Sequence, residues 1–450
     1  MTGRNDALKK DDEDRECTLN DVTEVRSNGN SDEDEYVKLL QNTFDRSYFP
    51  SDFDEWTVSE KYSWINKNLS KFYPNVPESL LEFIPASFCH GDCGRSPVEK
   101  PEWLDMDKYR RGQKFVQDYF GGITIAMVLA LLPAFSFESN LNPIILHDRA
   151  HTPFLGFKRY LSTMRRMMNW FAGEPWVKGT LAFKDMEVVR KMHVRMRAKL
   201  SQFDDHKIDD ASKFANPWCP DRELLLKDFA EGCPFERIGQ RPYKMFVDLP
   251  FKRKYINNAD MAMIQCCFIG FVLIYPQDFG AHDVTDEDME AFCHIWRCYG
   301  YYLGMEEKYN FCRGSLKEIK QRLQDFYQYW TIPNLKEVTP EWEHMTRCVI
   351  EPFNYFPFMY MSYRSAILLI TDVFGINMPR LHASLSYLDW ISYKLWKFVL
   401  RHVLKLSGVR SLFNKVLLSL LNQMANCSSE KEAQLHMRSK KTTPDFSVTL

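Results

Sequence analysis

Two long apolar runs constrain this chain more than anything else in it. Tyr119 to Phe137 and Met261 to Gln277 carry no charged residue and are apolar on every side of a helix. A helix with no polar face must be surrounded, either by other helices or by lipid. Each run sits near the lower length limit for crossing a bilayer. The first is interrupted by Gly121-Gly122 and Pro133, and the second contains Gln265 and Gly270. The reading adopted is a pair of buried core helices, with membrane helices as the alternative.

The rest of the chain suits that reading. Apolar residues recur at steps of three and four over Met106–Leu132, Phe157–Phe171, Lys184–Phe203, Met261–Tyr275, Arg364–Val373 and Ile391–Leu406. Thr285 stands three residues before Asp288, the spacing of a capping box, and Ser315 or a neighbour opens another helix. Strand-like alternation is scarce, so the expected class is all-α. The 450 residues include 14% aromatics, enough for a core of bulky rings or a large apolar pocket. A formal net charge of −2 gives no sign of nucleic-acid binding.

The expected organisation has five parts. Residues 1 to 40 form a disordered acidic N-terminus, since residues 1 to 35 hold 12 acids against 5 bases. A helical extension covers 41 to 100 and the main helical domain 101 to 380. Amphipathic C-terminal helices run from 381 to 427, and a flexible polar tail from 428 to 450. There is no apolar stretch at the N-terminus of the kind a cleaved signal peptide needs, which points to an intracellular protein, cytoplasmic or peripherally associated with the ER membrane. From Trp390 to Leu421, apolar residues alternate with Lys394, Lys397, Arg401, His402, Lys405, Arg410 and Lys415. The preferred reading is a packing helix with a basic face turned to water, and peripheral membrane contact is the alternative.

The 12 cysteines do not make a small disulfide framework, and most read as buried thiols. Cys89-His90-Gly91-Asp92-Cys93 could begin a zinc site, but no second Cys/His pair follows at suitable spacing. His282-Asp283 and His294 read as packing or capping residues. No nucleophile elbow, Walker loop or dinucleotide fingerprint is present.

One helix carries a more specific pattern. In Asp185–Leu200, the residues Val189, Met192, Met196 and Leu200 mark the inward stripe, with His193 at its edge. Arg190 and Arg197 both lie within about 60° of His193, one turn below and one above. An imidazole can ligate haem iron, and planar guanidiniums suit the propionate carboxylates. Taken alone, the same spacing describes a core histidine beside surface arginines. On another helix, Arg159 and Thr163 share a face, and Thr163 precedes His193 by 30 residues.

Arg159-x-x-x-Thr163, then His193 between Arg190 and Arg197, resembles the haem-binding pattern of the mycophenolic-acid-pathway oxygenase and rubber oxygenase (latex clearing protein) family. The segment Trp296-Arg297-Cys298-Tyr299-Gly300-Tyr301-Tyr302-Leu303-Gly304-Met305 is similar to a later motif of that family. The resemblance covers roughly residues 100 to 315, and more weakly to about 375. It implies a globin-like multi-helix core holding haem b, with His193 as the proximal iron ligand. Arg159, Thr163, Arg190, Arg197 and Arg297 would be the cofactor-binding residues. It further implies oxygenase chemistry with O2 on an apolar, lipidic or isoprenoid-type substrate. Two departures stand out. Ser162 occupies the place of the family's distal lysine, and its upstream acid has no counterpart, with Asn142-Pro143 and Asp148 nearby. These point to an open or water-bound sixth iron position. They also keep open a non-catalytic haem or lipid binding protein, and the basic C-terminal helices keep open a membrane-surface scaffold.

Overall fold

The two apolar runs become helices packed side by side at the centre of an all-helical protein. The computed structural model describes residues 29–234 and 253–445, and it contains no strand among them. The principal helices are α1 (Gly29–Thr43), α2 (Met106–Asp118), α3 (Phe120–Ala134), α4 (Pro153–Ala172), α5 (Leu181–Leu200), α6 (Asn258–Ile274), α7 (Asp286–Tyr302), α8 (Pro340–Ile350), α9 (Tyr363–Phe374), α10 (Tyr387–Phe398), α11 (Ser407–Ala425) and α12 (Ser429–Thr442).

The continuous helix expected from Met106 to Leu132 is two helices, α2 and α3, meeting at 87°. Tyr119 leaves helical geometry at the join, and Gly121 and Gly122 follow it. A side chain at Gly122 would collide with the Phe279 carbonyl, at 2.0 Å from the added carbon, so glycine lets that backbone approach. Almost every residue of α3 and α6 is buried within the protein. Among the described residues no single helix is long and apolar enough to cross a membrane, although α2 and α3 together pass that test as a bent pair. Gln265 satisfies its polar ends inside this core, donating to the Trp296 carbonyl and accepting from the Phe311 N–H.

The tightest crossing is α2 against α7. A methyl group at Gly112 would stand 2.3 Å from the Ala291 carbonyl oxygen. The capping box at Thr285 and Asp288 forms as read, and Arg111 of α2 bonds both residues, at 2.8 Å to Asp288. Ser315 likewise caps the helix Leu316–Asp325 through a capping box.

Three expectations about organisation change. Helix α1 occupies part of the stretch read as disordered, with Tyr36 and Leu40 buried and Asp32 and Glu35 paired with Lys254. Residues 1–28 lie outside the described residues. The tail read as flexible contains α12, capped by Ser428, with Leu435 buried and the Ser439 hydroxyl accepting from the Phe154 N–H of α4. A polar helix can hold position through a few such anchors where composition alone suggests none. Finally, one continuous apolar cluster runs from Tyr36 to Leu421, so the N-terminal extension and the helical domain share a core.

Candidate functional site

Helix α5 starts at an N-cap, Thr180, and buries a stripe made of Ala182, Phe183, Met186, Met196, Arg197 and Leu200. That stripe is rotated slightly from the one read in the sequence. Met192 is only partly buried, whereas Arg197 is 6% exposed and lies inside the stripe. Helix α4 packs along α5, with Asn169 bonding Asp185 at 2.6 Å.

His193 is half-buried, and its Nδ1 is shielded from water with no hydrogen-bond partner among the described residues. Burial, then the positive charges of Arg197 and Arg159, push the imidazole down to about 3 against a weaker opposing pull from Asp92. It is therefore neutral at any ordinary pH. The buried histidines His282, His294 and His344 behave differently. His282 bonds the Leu400 carbonyl at 3.0 Å, and His294 accepts from the Asp105 N–H at 3.2 Å. His344 accepts from the Trp218 N–H and meets the His151 carbonyl. Those three are tied into the fold through their ring nitrogens, and His193 is not.

Arg197 donates to the Ile256 carbonyl (2.8 Å) and the Gly91 carbonyl (2.9 Å), which leaves Nη1 buried without a partner. Burial lowers its guanidinium to about 10, so it keeps its charge at neutral pH. Ile256 holds its carbonyl there from a left-handed backbone (φ 53°), an unusual place for a β-branched residue. Below Arg197, burial raises the Asp260 carboxyl to about 7, although Ser139 and the backbone at Asn257 bond it.

Arg190 is committed to protein. It makes a two-pronged bond to Asp92 (2.8 and 2.5 Å) and a third to the Arg95 carbonyl (2.8 Å). Thr163 is exposed, and its hydroxyl bonds back to the Arg159 carbonyl one turn earlier. Arg297 is bonded by Glu307 and lies over the Trp103 ring, 3.9 Å from its centre. The structure therefore brings His193, Arg197 and Arg159 into one electrostatic neighbourhood. It turns Thr163 to solvent and gives Arg190 and Arg297 carboxylate partners within the protein. Ser162 accepts a bond from Arg166 at 2.6 Å.

The segment Cys89-His90-Gly91-Asp92-Cys93 emerges as the clasp that fixes α5. Gly91 and Asp92 meet Arg197 and Arg190, the His90 carbonyl accepts from Asn258 at the start of α6, and Cys93 donates to the Gly304 carbonyl just past α7. Gly304 has φ 95° and faces the Asp92 carboxylate where a side chain would clash. This explains both the pentapeptide and the second glycine of the Trp296–Met305 motif. Cys89 is buried against Tyr309 and Pro85, Cys93 is exposed, and no group of three metal-ligating side chains occurs among the described residues. The glycine and acid flanked by cysteines were visible in the sequence, but their partners lie about 100 or more residues away, beyond the reach of local spacing.

Two small cavities among the described residues each hold about 10 Å³, roughly one water. One lies between Leu132, Phe229 and Trp342 and the other between Phe279, Leu369 and Leu400, and neither is lined by His193. No family model, curated protein or solved structure matches the chain.

Proposed function

We propose that this chain is a haem b-binding, oxygenase-like protein in which His193 would hold the iron, acting with O2 on a lipidic or isoprenoid-type substrate. The observation that carries the reading is a half-buried, neutral imidazole whose shielded Nδ1 has no bond, beside two guanidiniums. A neutral imidazole offers its lone pair to a metal without first losing a proton. Arg197 has an unpartnered N–H for an acidic edge group, and Arg159 adds positive charge on the facing helix. Arg190 acts indirectly, holding α5 to the clasp and so fixing the direction of His193. When bound, haem supplies an iron centre able to take up O2.

A second reading, a non-catalytic haem or lipid binding protein, is favoured by the distal candidates. Thr163 is exposed with its hydroxyl bonded back to the Arg159 carbonyl, and Ser162 is engaged by Arg166. Reconstitution with haem tests the shared premise. A Soret band in the wild-type protein that is lost or displaced in His193→Ala is expected. A missing band, or one unchanged by the substitution, overturns haem ligation by His193. Turnover of O2 with an unsaturated lipid then separates the enzyme from the binding protein.

A further inference from the structure

The C-terminal helices expose apolar side chains where the sequence suggested a solvated basic face. On α10, Tyr387, Ile391, Leu395 and Phe398 follow at steps of four, four and three, so they share one face. The opposite face buries Ser392, Tyr393 and Trp396. Tyr387, Leu388, Leu395, Phe398, Leu406 and Leu412 are each more than half exposed. Contiguous apolar exposure of this kind marks an interaction surface.

The charge around this surface selects the partner. From Trp390 to Ala425 there are six Lys or Arg and no Asp or Glu, in a chain whose net charge is −2. Lys394, Lys405 and Lys415 are exposed among the apolar residues. An apolar face edged by cations matches a bilayer surface of negative headgroups over acyl chains.

We infer that α10 and the start of α11 form a docking surface for an anionic lipid bilayer, lying in the interface without crossing it. The inference does not depend on haem, so its test is independent of the preceding proposal. The full-length protein is floated with phosphatidylcholine vesicles with and without phosphatidylserine, at low and high salt. It should float with the anionic vesicles, less so at high salt. Each interfacial lysine contributes about fivefold to partitioning, so Lys394→Gln, Lys405→Gln and Lys415→Gln together should weaken it roughly a hundredfold. Leu395→Ser with Phe398→Ser should abolish flotation while the thermal melt is kept, because both side chains already face solvent. Absence of flotation, or flotation indifferent to these substitutions, overturns the inference. So does a concentration-dependent dimer, without vesicle binding, that Leu395→Ser and Phe398→Ser dissociate, since the face would then belong to a second copy.

Discussion

Replacing Asp92 by Asn tests whether the clasp holds the histidine helix. The Asp92 carboxylate accepts from Arg190 Nε and Nη2 and from the Gly94 N–H, and the pair is only 13% and 9% exposed at Arg190 and Asp92. Asparagine keeps the shape, removes the charge, and turns an N–H₂ toward a guanidinium that can only donate. A hydrogen bond to a charged group is worth about 1.5–3 kcal/mol, and breaking a buried pair costs about 3–5 kcal/mol. With a tenth of the pair still wet, the expected loss is about 2–4 kcal/mol. Arg190→Met should cost a similar amount by stranding the carboxylate. The double variant should lose about 1–3 kcal/mol less than the sum of the two. Urea unfolding at neutral pH, followed by circular dichroism with the denaturant slope unchanged, measures all three. Losses below about 1 kcal/mol that simply add would refute the clasp as a coupled ion pair. Arg190 and Gly94 also hold the Asp92 carboxyl below its usual range against the opposing effect of burial. The stabilisation it brings is therefore present above the ordinary carboxylate range and lost as pH falls through the lowered value.

Gly112→Ala should destabilise the protein by roughly 3 kcal/mol or prevent folding, because its methyl group would lie 2.3 Å from a main-chain oxygen that cannot move alone; thermal melting checks this. Acid should weaken the fold well before the carboxylates titrate. His193 is held at about 3, and His294 and His344 at about 4, all chiefly by burial, so the unfolded chain binds protons that the folded one refuses. Stability should fall as pH drops from about 6.5 toward 4, by on the order of several kcal/mol, as measured by urea midpoints across pH. A flat profile over that window would contradict the burial of these rings.

Local pattern was enough to find the helices and their starts. Thr285 and Ser315 cap helices because the residue that satisfies each cap is three positions away, and the apolar period reports one face at a time. The 87° bend at Tyr119 was hidden, since Gly121-Gly122 reads as a weakness within a helix and its cause is the distant Phe279 carbonyl. The site divides along the same line. That His193, Arg197 and Arg159 share a neighbourhood was legible because helix geometry and adjacent helices bring them together. Arg190 was assigned to a cofactor because its carboxylate, Asp92, lies 98 residues earlier. The resemblance put Thr163 beside the cofactor with Arg159, but the α4 surface that packs inward carries Met164 and Met167. Helical spacing says which residues share a face and leaves open which face is buried.

The difference between His193 and the structural histidines also separates a ligand from a packing residue by stability alone. His344 supplies the acceptor for the Trp218 N–H, so His344→Phe strands a donor and should cost about 1–3 kcal/mol. His193 supplies nothing to any described neighbour. His193→Leu replaces a half-buried ring with an unpartnered Nδ1 by an apolar side chain. The haem-free protein should then keep its melting point within about 1 kcal/mol, or gain. If haem binds through this residue, the wild type should gain stability on addition of haem, since a ligand of the folded state alone shifts unfolding by mass action, and His193→Leu should gain much less. Differential scanning fluorimetry of both proteins, with and without haem, reads the four values together. A loss above about 2 kcal/mol in the haem-free variant would make His193 a structural residue. Equal stabilisation of the two proteins by haem would place the haem elsewhere.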